Sequence, residues 1–113
     1  MLYVLPDGTI RLTRGDTARF VLSVVYSSDG EEYTIAEDDV VELTIRKNVR
    51  SDEALVHKKI VGSNIFHIEP SDTESLPFGR YVYDVQIENG DGDIYTIIEP
   101  SVFEVMKEVT HNE

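Results

Sequence analysis

Four small groups of residues have side-chain types that could do chemistry. Asn89-Gly90-Asp91-Gly92-Asp93 puts oxygen-bearing side chains at alternate positions, as the first half of a calcium loop does. A complete EF-hand loop also needs Gly after the third ligand and a bidentate Glu at the twelfth position. Ile94 and Pro100 stand in those places. The stretch therefore reads as a hairpin turn, where Asn, Gly and Asp accept positive φ at low cost. His57, His67 and His111 are dispersed, and none stands at metal-ligand spacing from another. His57 and His67 fall on consecutive expected strands, which would allow a cross-strand pair. Arg14-Gly15-Asp16 spells an integrin-binding tripeptide, but a Gly between two strands accounts for it. Asp38-Asp39 are sequence neighbours on a loop. Their carboxylates diverge, as on a solvated face, instead of converging as a general acid and base. No Gly-x-Ser-x-Gly elbow and no phosphate-cradling order of glycines occurs. The expectation is a chain that is not an enzyme, with no catalytic, cofactor-binding or metal-binding residue and no cofactor.

The elements that carry these groups are read from apolar periodicity. In residues 79–88, Tyr81, Tyr83, Val85 and Ile87 fall on one face, while Arg80, Asp84, Gln86 and Glu88 fall on the other. This period of two marks a strand with one dry and one wet face. The same alternation predicts strands over 9–13 (Ile10 and Leu12 inward), 17–26 (Ala18, Phe20, Leu22, Val24, Tyr26), 40–47 (Val41, Leu43, Ile45) and 65–69 (Phe66, Ile68). It also predicts 93–99 as a return strand and 102–108 as a closing one, with Phe103 and Val105 inward. A short strand at 33–35 and a weaker one at 54–61 complete the set. His57, Lys58 and Lys59 give the latter the charge of a protected edge strand. Turns are expected at Pro6-Asp7-Gly8, at Arg14-Gly15-Asp16, around Asp29-Gly30 and at Gly62-Ser63-Asn64. Residues 70–76 read as one helical turn, with Ser71 or Asp72 able to cap it. Tyr81 follows that turn at the position of a tyrosine corner, with its ring inward and its hydroxyl on a nearby backbone group. The tail 110–113 is polar and expected to fray. Several short strands at this spacing predict one all-β domain over 1–113, an antiparallel β-sandwich.

Composition narrows the function classes. The chain has 113 residues, of which 41% are hydrophobic, enough for one core. It has no Cys, which removes disulfides and thiolate metal sites and favours folding in a reducing cytoplasm. The start MLYVLPDGTIRL lacks the basic and apolar regions of a signal peptide, and no apolar run reaches membrane-spanning length. The formal charge of −12 and the scattered Lys and Arg argue against nucleic-acid and anionic-membrane partners. Glu31-Glu32 and Glu37-Asp38-Asp39 are the candidates for an acidic patch that docks a basic partner.

Four strings occur in a recurrent order: TRGDTARFVLSV (13–24), VELTIRK (41–47), IEPSDTESLPFGRYVYDVQIENGDGDIYTI (68–97) and FEVMKEVT (103–110). Together they resemble short proteins encoded in the tail-module region of phages and prophages of Gram-positive bacteria. These are similar to the immunoglobulin-like N-terminal domain of phage baseplate upper proteins. The resemblance covers nearly the whole chain, and its most specific pieces are 13–17, 79–86 and 92–96. It implies an immunoglobulin-like sandwich with a structural or adaptor role in a phage or prophage tail. It further implies synthesis in the bacterial cytoplasm and residence in the virion. The implied partners are other tail or baseplate proteins, with self-association into a multimer admitted. The larger baseplate proteins continue into a receptor-facing region, for which this chain has no counterpart. The alternative is a carbohydrate-binding sandwich of a cell-surface system, for which Tyr3, Tyr33 and Tyr95 are the available aromatics.

Overall fold

The alternation in residues 79–88 becomes the ten-residue strand β7 (Gly79–Glu88), the centre of the molecule. A computed structural model describes residues 2–4 as backbone, and residues 8–24 and 29–107 in full. The expected turn at Pro6-Asp7, the end of the second long strand at Val25-Tyr26, His111 and the tail 110–113 lie outside the described residues. The other strands are β1 (Leu2–Val4), β2 (Ile10–Thr13), β3 (Ala18–Val21), β4 (Val40–Arg46), β5 (Val56–Val61), β6 (Ile65–Ile68) and β8 (Ile94–Met106). One helical turn, α1 (Pro70–Thr73), precedes β7. Six strands form one sheet in the order β1-β2-β8-β7-β4-β5, and β3 pairs with β6 in a second.

The fold is all-β, as the alternation requires, but it is not purely antiparallel. β2 runs parallel to β8, with Ile10 opposite Phe103 and Thr13 opposite Met106. Alternation tells which face of a strand is dry and carries no information on strand direction, so the antiparallel expectation fails at this pair. β1 lies antiparallel on the outer side of β2, β5 antiparallel on the outer side of β4, and β7 antiparallel to both β4 and β8.

All four inward residues of β7 are buried, as are Ile10, Leu12, Val41, Leu43, Ile45, Phe103 and Val105 from the same sheet. The small sheet contributes Ala18, Phe20, Phe66 and Ile68. Rings join the two layers. Phe20 meets Tyr83 at 6.2 Å and Phe66 at 6.3 Å between centroids, and Tyr83 meets Phe103 at 6.3 Å, all edge to face. Such pairs add roughly 0.5–1.5 kcal/mol each to the burial of their area. The Tyr83 hydroxyl donates to the Gly8 carbonyl, so a fully buried ring also ties down the approach to β2.

Two local expectations change. Residues 93–99 and 102–108 are not two strands but one, since β8 runs through Pro100. Tyr83 faces Ser101, Val85 faces Ile98 and Gln86 faces Thr96, so β8 carries an extra residue at each of two successive steps. These bulges absorb the irregularity at the proline, and the strand bends there without ending. Residues 33–35 are not part of any strand, although the Tyr33 N–H donates to the Val24 carbonyl. Of the two expected caps of α1 it is Asp72 that acts, from inside the first turn: its carboxylate reaches back to accept the Glu69 N–H at 2.7 Å. Tyr81 does make a corner, donating its hydroxyl to the Pro77 carbonyl four residues back. Burial pushes the Tyr81 phenol above the usual range, which keeps that donor protonated.

Phe20→Ser and Tyr83→Ser should each cost about 3–5 kcal/mol. Tyr83→Phe keeps the ring and loses the hydroxyl's bond to Gly8, so it should cost about 0.5–1.5 kcal/mol. Thermal melts followed by circular dichroism check both. Serine variants that melt within a few degrees of wild type would contradict the assignment of these rings to the core.

Candidate interaction surface

The two ends of the sheet differ in chemistry. Register places the start of β4, the end of β5, the end of β7 and the start of β8 together, because Val40 pairs with Val61 and Glu88, and Glu88 pairs with Ile94. At this end, segments 29–40 and 88–94 supply Asp29, Glu31, Glu37, Asp38, Glu88 and Asp91, among others, and no Lys or Arg. The charge arises from two long gaps in the basic residues, 20–45 and 81–106. Arg14, Arg46, Lys47, Arg50 and Arg80 belong instead to the opposite end, where β2 and β4 finish and β7 begins.

Backbone approach packs the acidic loops together. A Cβ on Gly90 would stand 2.1 Å from Asp38 Oδ2, so this carboxylate lies against the glycine of the β7–β8 turn. Gly62 has φ +67°, and a Cβ there would come within 3.0 Å of the Glu37 carbonyl oxygen. The acidic run expected at Glu37-Asp38-Asp39 is divided by burial. Asp39 is almost fully buried, and its Oδ2 accepts the Tyr33 hydroxyl and the Ala36 N–H. Its carbonyl accepts the Gly62 N–H at 2.9 Å. Asp39 therefore organises the loop, while Glu37 and Asp38 face outward with Glu31 and Glu32. The signal for a structural role was present in sequence only as a carboxylate immediately before a strand.

The other groups are taken up by local structure. The Asn89 side-chain oxygen accepts the N–H groups of Asp91 and Asp93, both at 3.0 Å, and the Asn89 N–H donates to the Asp93 carbonyl. A ligand oxygen aimed at its own backbone makes a turn and not a metal shell. The Arg14-Gly15-Asp16 tripeptide is built into the opposite end. The Arg14 guanidinium lies 4.1 Å over the Phe78 ring and also faces the Leu76 carbonyl, and the Gly15 N–H donates to the buried Thr73 hydroxyl at 3.0 Å. His57 and His67 are not cross-strand neighbours, because the chain changes sheet between β5 and β6. His57 Nε2 lies 2.7 Å from Glu42 Oε2, and His67 stands opposite Arg19. Among the described residues no three His, Asp or Glu converge as a metal site. A shallow cavity of 230 Å³ lies between Leu22, Tyr33, Ile35, Gly62 and Asn64, with Glu32 at its rim. That is below the usual range for organic ligands, about 300–1,000 Å³.

The sheet also has two unlike borders. β5, the outermost strand on one side, carries His57, Lys58 and Lys59, and Lys58 is fixed to Asp72 at 2.7 Å. On the other side β2 covers only Phe103 to Met106 of β8. Beyond it, residues 94–100 have β7 on one side and no strand on the other among the described residues. Ile94 and Tyr95 are exposed there, at 60% and 56%. Comparison of the chain with protein-family models, with curated proteins and with solved structures finds no match in any of the three.

Two measurements check this geometry. Gly62→Ala forces a side chain against the Glu37 backbone at positive φ and should cost roughly 1–3 kcal/mol. Gly92→Ala, also at positive φ but facing open space, should cost less. Equal losses in thermal melts would mean that the Glu37 approach does not matter. Millimolar calcium should leave the melting temperature unchanged relative to magnesium, because the Asn89 oxygen is already engaged and no bidentate carboxylate follows at the required distance. A rise specific to calcium would overturn this account of the turn.

Proposed function

We propose that this chain is an immunoglobulin-like structural or adaptor module of a phage or prophage tail, acting by protein–protein contact in the virion. The sequence resemblance at residues 13–24, 41–47, 68–97 and 103–110 is its starting point. One structural observation carries the sandwich reading: β8, β7, β4 and β5 lie in the order of the G-F-C-C′ sheet of a variable-type domain, opposite a β3–β6 pair in the place of B and E. The helical turn before β7 and the Tyr81 corner support the same reading. The adaptor role is supported by what the surface offers: strand borders and a strongly acidic end, with the candidate chemical groups bound up in turns and caps.

The carbohydrate-binding alternative needs exposed coplanar aromatics. Among the described residues Tyr33 is held by Asp39, Phe78 lies beneath the Arg14 guanidinium, and Tyr95 stands on an exposed strand without an adjacent ring contact. This disposition favours docking to protein over stacking on sugar.

Virions of the phage or induced prophage whose genome carries the gene provide the test. Antibody raised against the domain should decorate the tail, and the protein should co-purify with particles. Size-exclusion light scattering and a glycan array on the purified domain complete the test. Absence from particles together with a saturable oligosaccharide signal from a strict monomer would transfer the reading to the carbohydrate class.

A further inference from the structure

We propose that residues 94–100 of β8 form an open strand-addition site that takes a Lys- or Arg-rich extended segment of a partner protein. The observation is a length of sheet border that no described strand covers. β7 pairs with β8 from Ile94 onward, but β2 joins the far side only at Phe103. β1 returns along the outside of β2, with Val4 opposite Ile10 and Leu2 opposite Leu12. The described strands of that hairpin therefore stop short of residues 94–100. A strand border without a neighbour presents a row of backbone donors and acceptors shaped for another extended chain.

Natural sheets protect such borders with Lys, Pro or a covering element, and this protein protects its other one. β5 carries Lys58 and Lys59 at the far side of the sheet. The β8 stretch reads IYTIIEP: two exposed apolar residues at its start, Ile97 and Ile98 half-buried against the core, and no basic residue. Pro100 and the two bulges, all between Thr96 and Ser101, blunt the half nearer β2, while Ile94 to Thr96 pair regularly with β7. The contrast between the two borders is what marks this one as kept open.

Charge selects the occupant. The segment runs from the acidic end of the molecule, beginning next to Asp93 and opposite Glu88, and carries Glu99. No Lys or Arg occurs from residue 81 to 106. A second copy of this chain, at −12, would bring the same carboxylates against them in edge-to-edge pairing. A cationic strand would neutralise them: its alternate apolar residues would cover Tyr95, which shares the face of Ile87, and its basic residues would lie on the face of Ile94 and Glu88. The inference rests on the adaptor reading only in that both require a protein partner.

The probe is a synthetic eight-residue peptide alternating Val and Lys, titrated against the purified protein by fluorescence anisotropy at low and high salt. Three controls accompany it: the same peptide N-methylated at alternate residues, a Val/Glu counterpart, and the Ile94→Lys/Tyr95→Lys protein with its melting temperature recorded. The Val/Lys peptide should bind at least about tenfold more tightly than the Val/Glu peptide and weaken with salt. N-methylation, which removes donors from one edge, should weaken it about tenfold, as should the double variant, with an unchanged melting temperature. Slowed amide exchange within residues 94–98 on binding locates the strand.

Equal binding of the methylated peptide would reduce the effect to charge adsorption and overturn the proposal. So would equal binding by a double variant of unchanged melting temperature. Should that variant be unfolded, amide exchange on the wild type decides: protection elsewhere overturns the site. A wild-type dimer in light scattering that the double variant dissolves would give the border to a second copy instead. Virion labelling is independent of these results, so failure of the adaptor reading and failure of this site are distinguishable.

Discussion

Tyr83 is the group on which the arrangement turns. Its ring stands at the middle of the central strand, packs edge to face on Phe20 from the opposite sheet and on Phe103 from the neighbouring strand, and is almost completely buried. Its hydroxyl leaves the core at a single point, the Gly8 carbonyl, just before β2 enters the sheet. One side chain thus fixes the distance between the layers and the place where β2 meets β8. A ring that size in a domain of 113 residues fills space no neighbour can fill, so its contacts decide the layer geometry.

From this centre the two ends diverge in construction. At one end, Arg14 on Phe78, Gly15 on Thr73 and Tyr81 on Pro77 bind the β2–β3 turn to the helical turn and to the start of β7. The basic side chains here are used locally, against a ring, carbonyl groups and carboxylates such as Asp84, which lies 2.9 Å from Arg46. At the other end the loops are joined by backbone approach at Gly62 and Gly90 and by the buried Asp39. Segments 29–40 and 88–94 at that end carry no Lys or Arg, and Glu37 and Asp38 are exposed. Solubility alone would be served by scattered charge, whereas segregation gives the molecule an electrostatic direction.

The borders of the large sheet reinforce that direction. Lys58 and Lys59 guard the β5 side, while the bulged first half of β8 has no described strand on its outer side and lies at the acidic end. The two extra residues of β8 fall between Thr96 and Ser101, just before its pairing with β2 begins at Phe103.

Much of the fold was legible in the residues themselves. Dry and wet faces of β2, β4, β6 and β7 follow from period-two alternation, because a side chain's face in a strand depends only on its own position. The Tyr81 corner, the helical turn at Pro70 and the Asn89 turn were likewise local, each closed by bonds spanning two to four residues. What needed the tertiary structure was every relation between distant segments. The parallel course of β2 beside β8 is one, since alternation is blind to direction. The single bulged β8 is another, because Pro100 reads as a break until a partner strand holds the chain extended through it. The fate of the acidic run is a third: Asp38 and Asp39 are alike in sequence. Only Tyr33 and Ala36, folded over one of them, make Asp39 a buried acceptor and leave Asp38 at the surface against Gly90. Side-chain type is local, but burial, strand direction and an open sheet border depend on which segments the folded chain brings side by side.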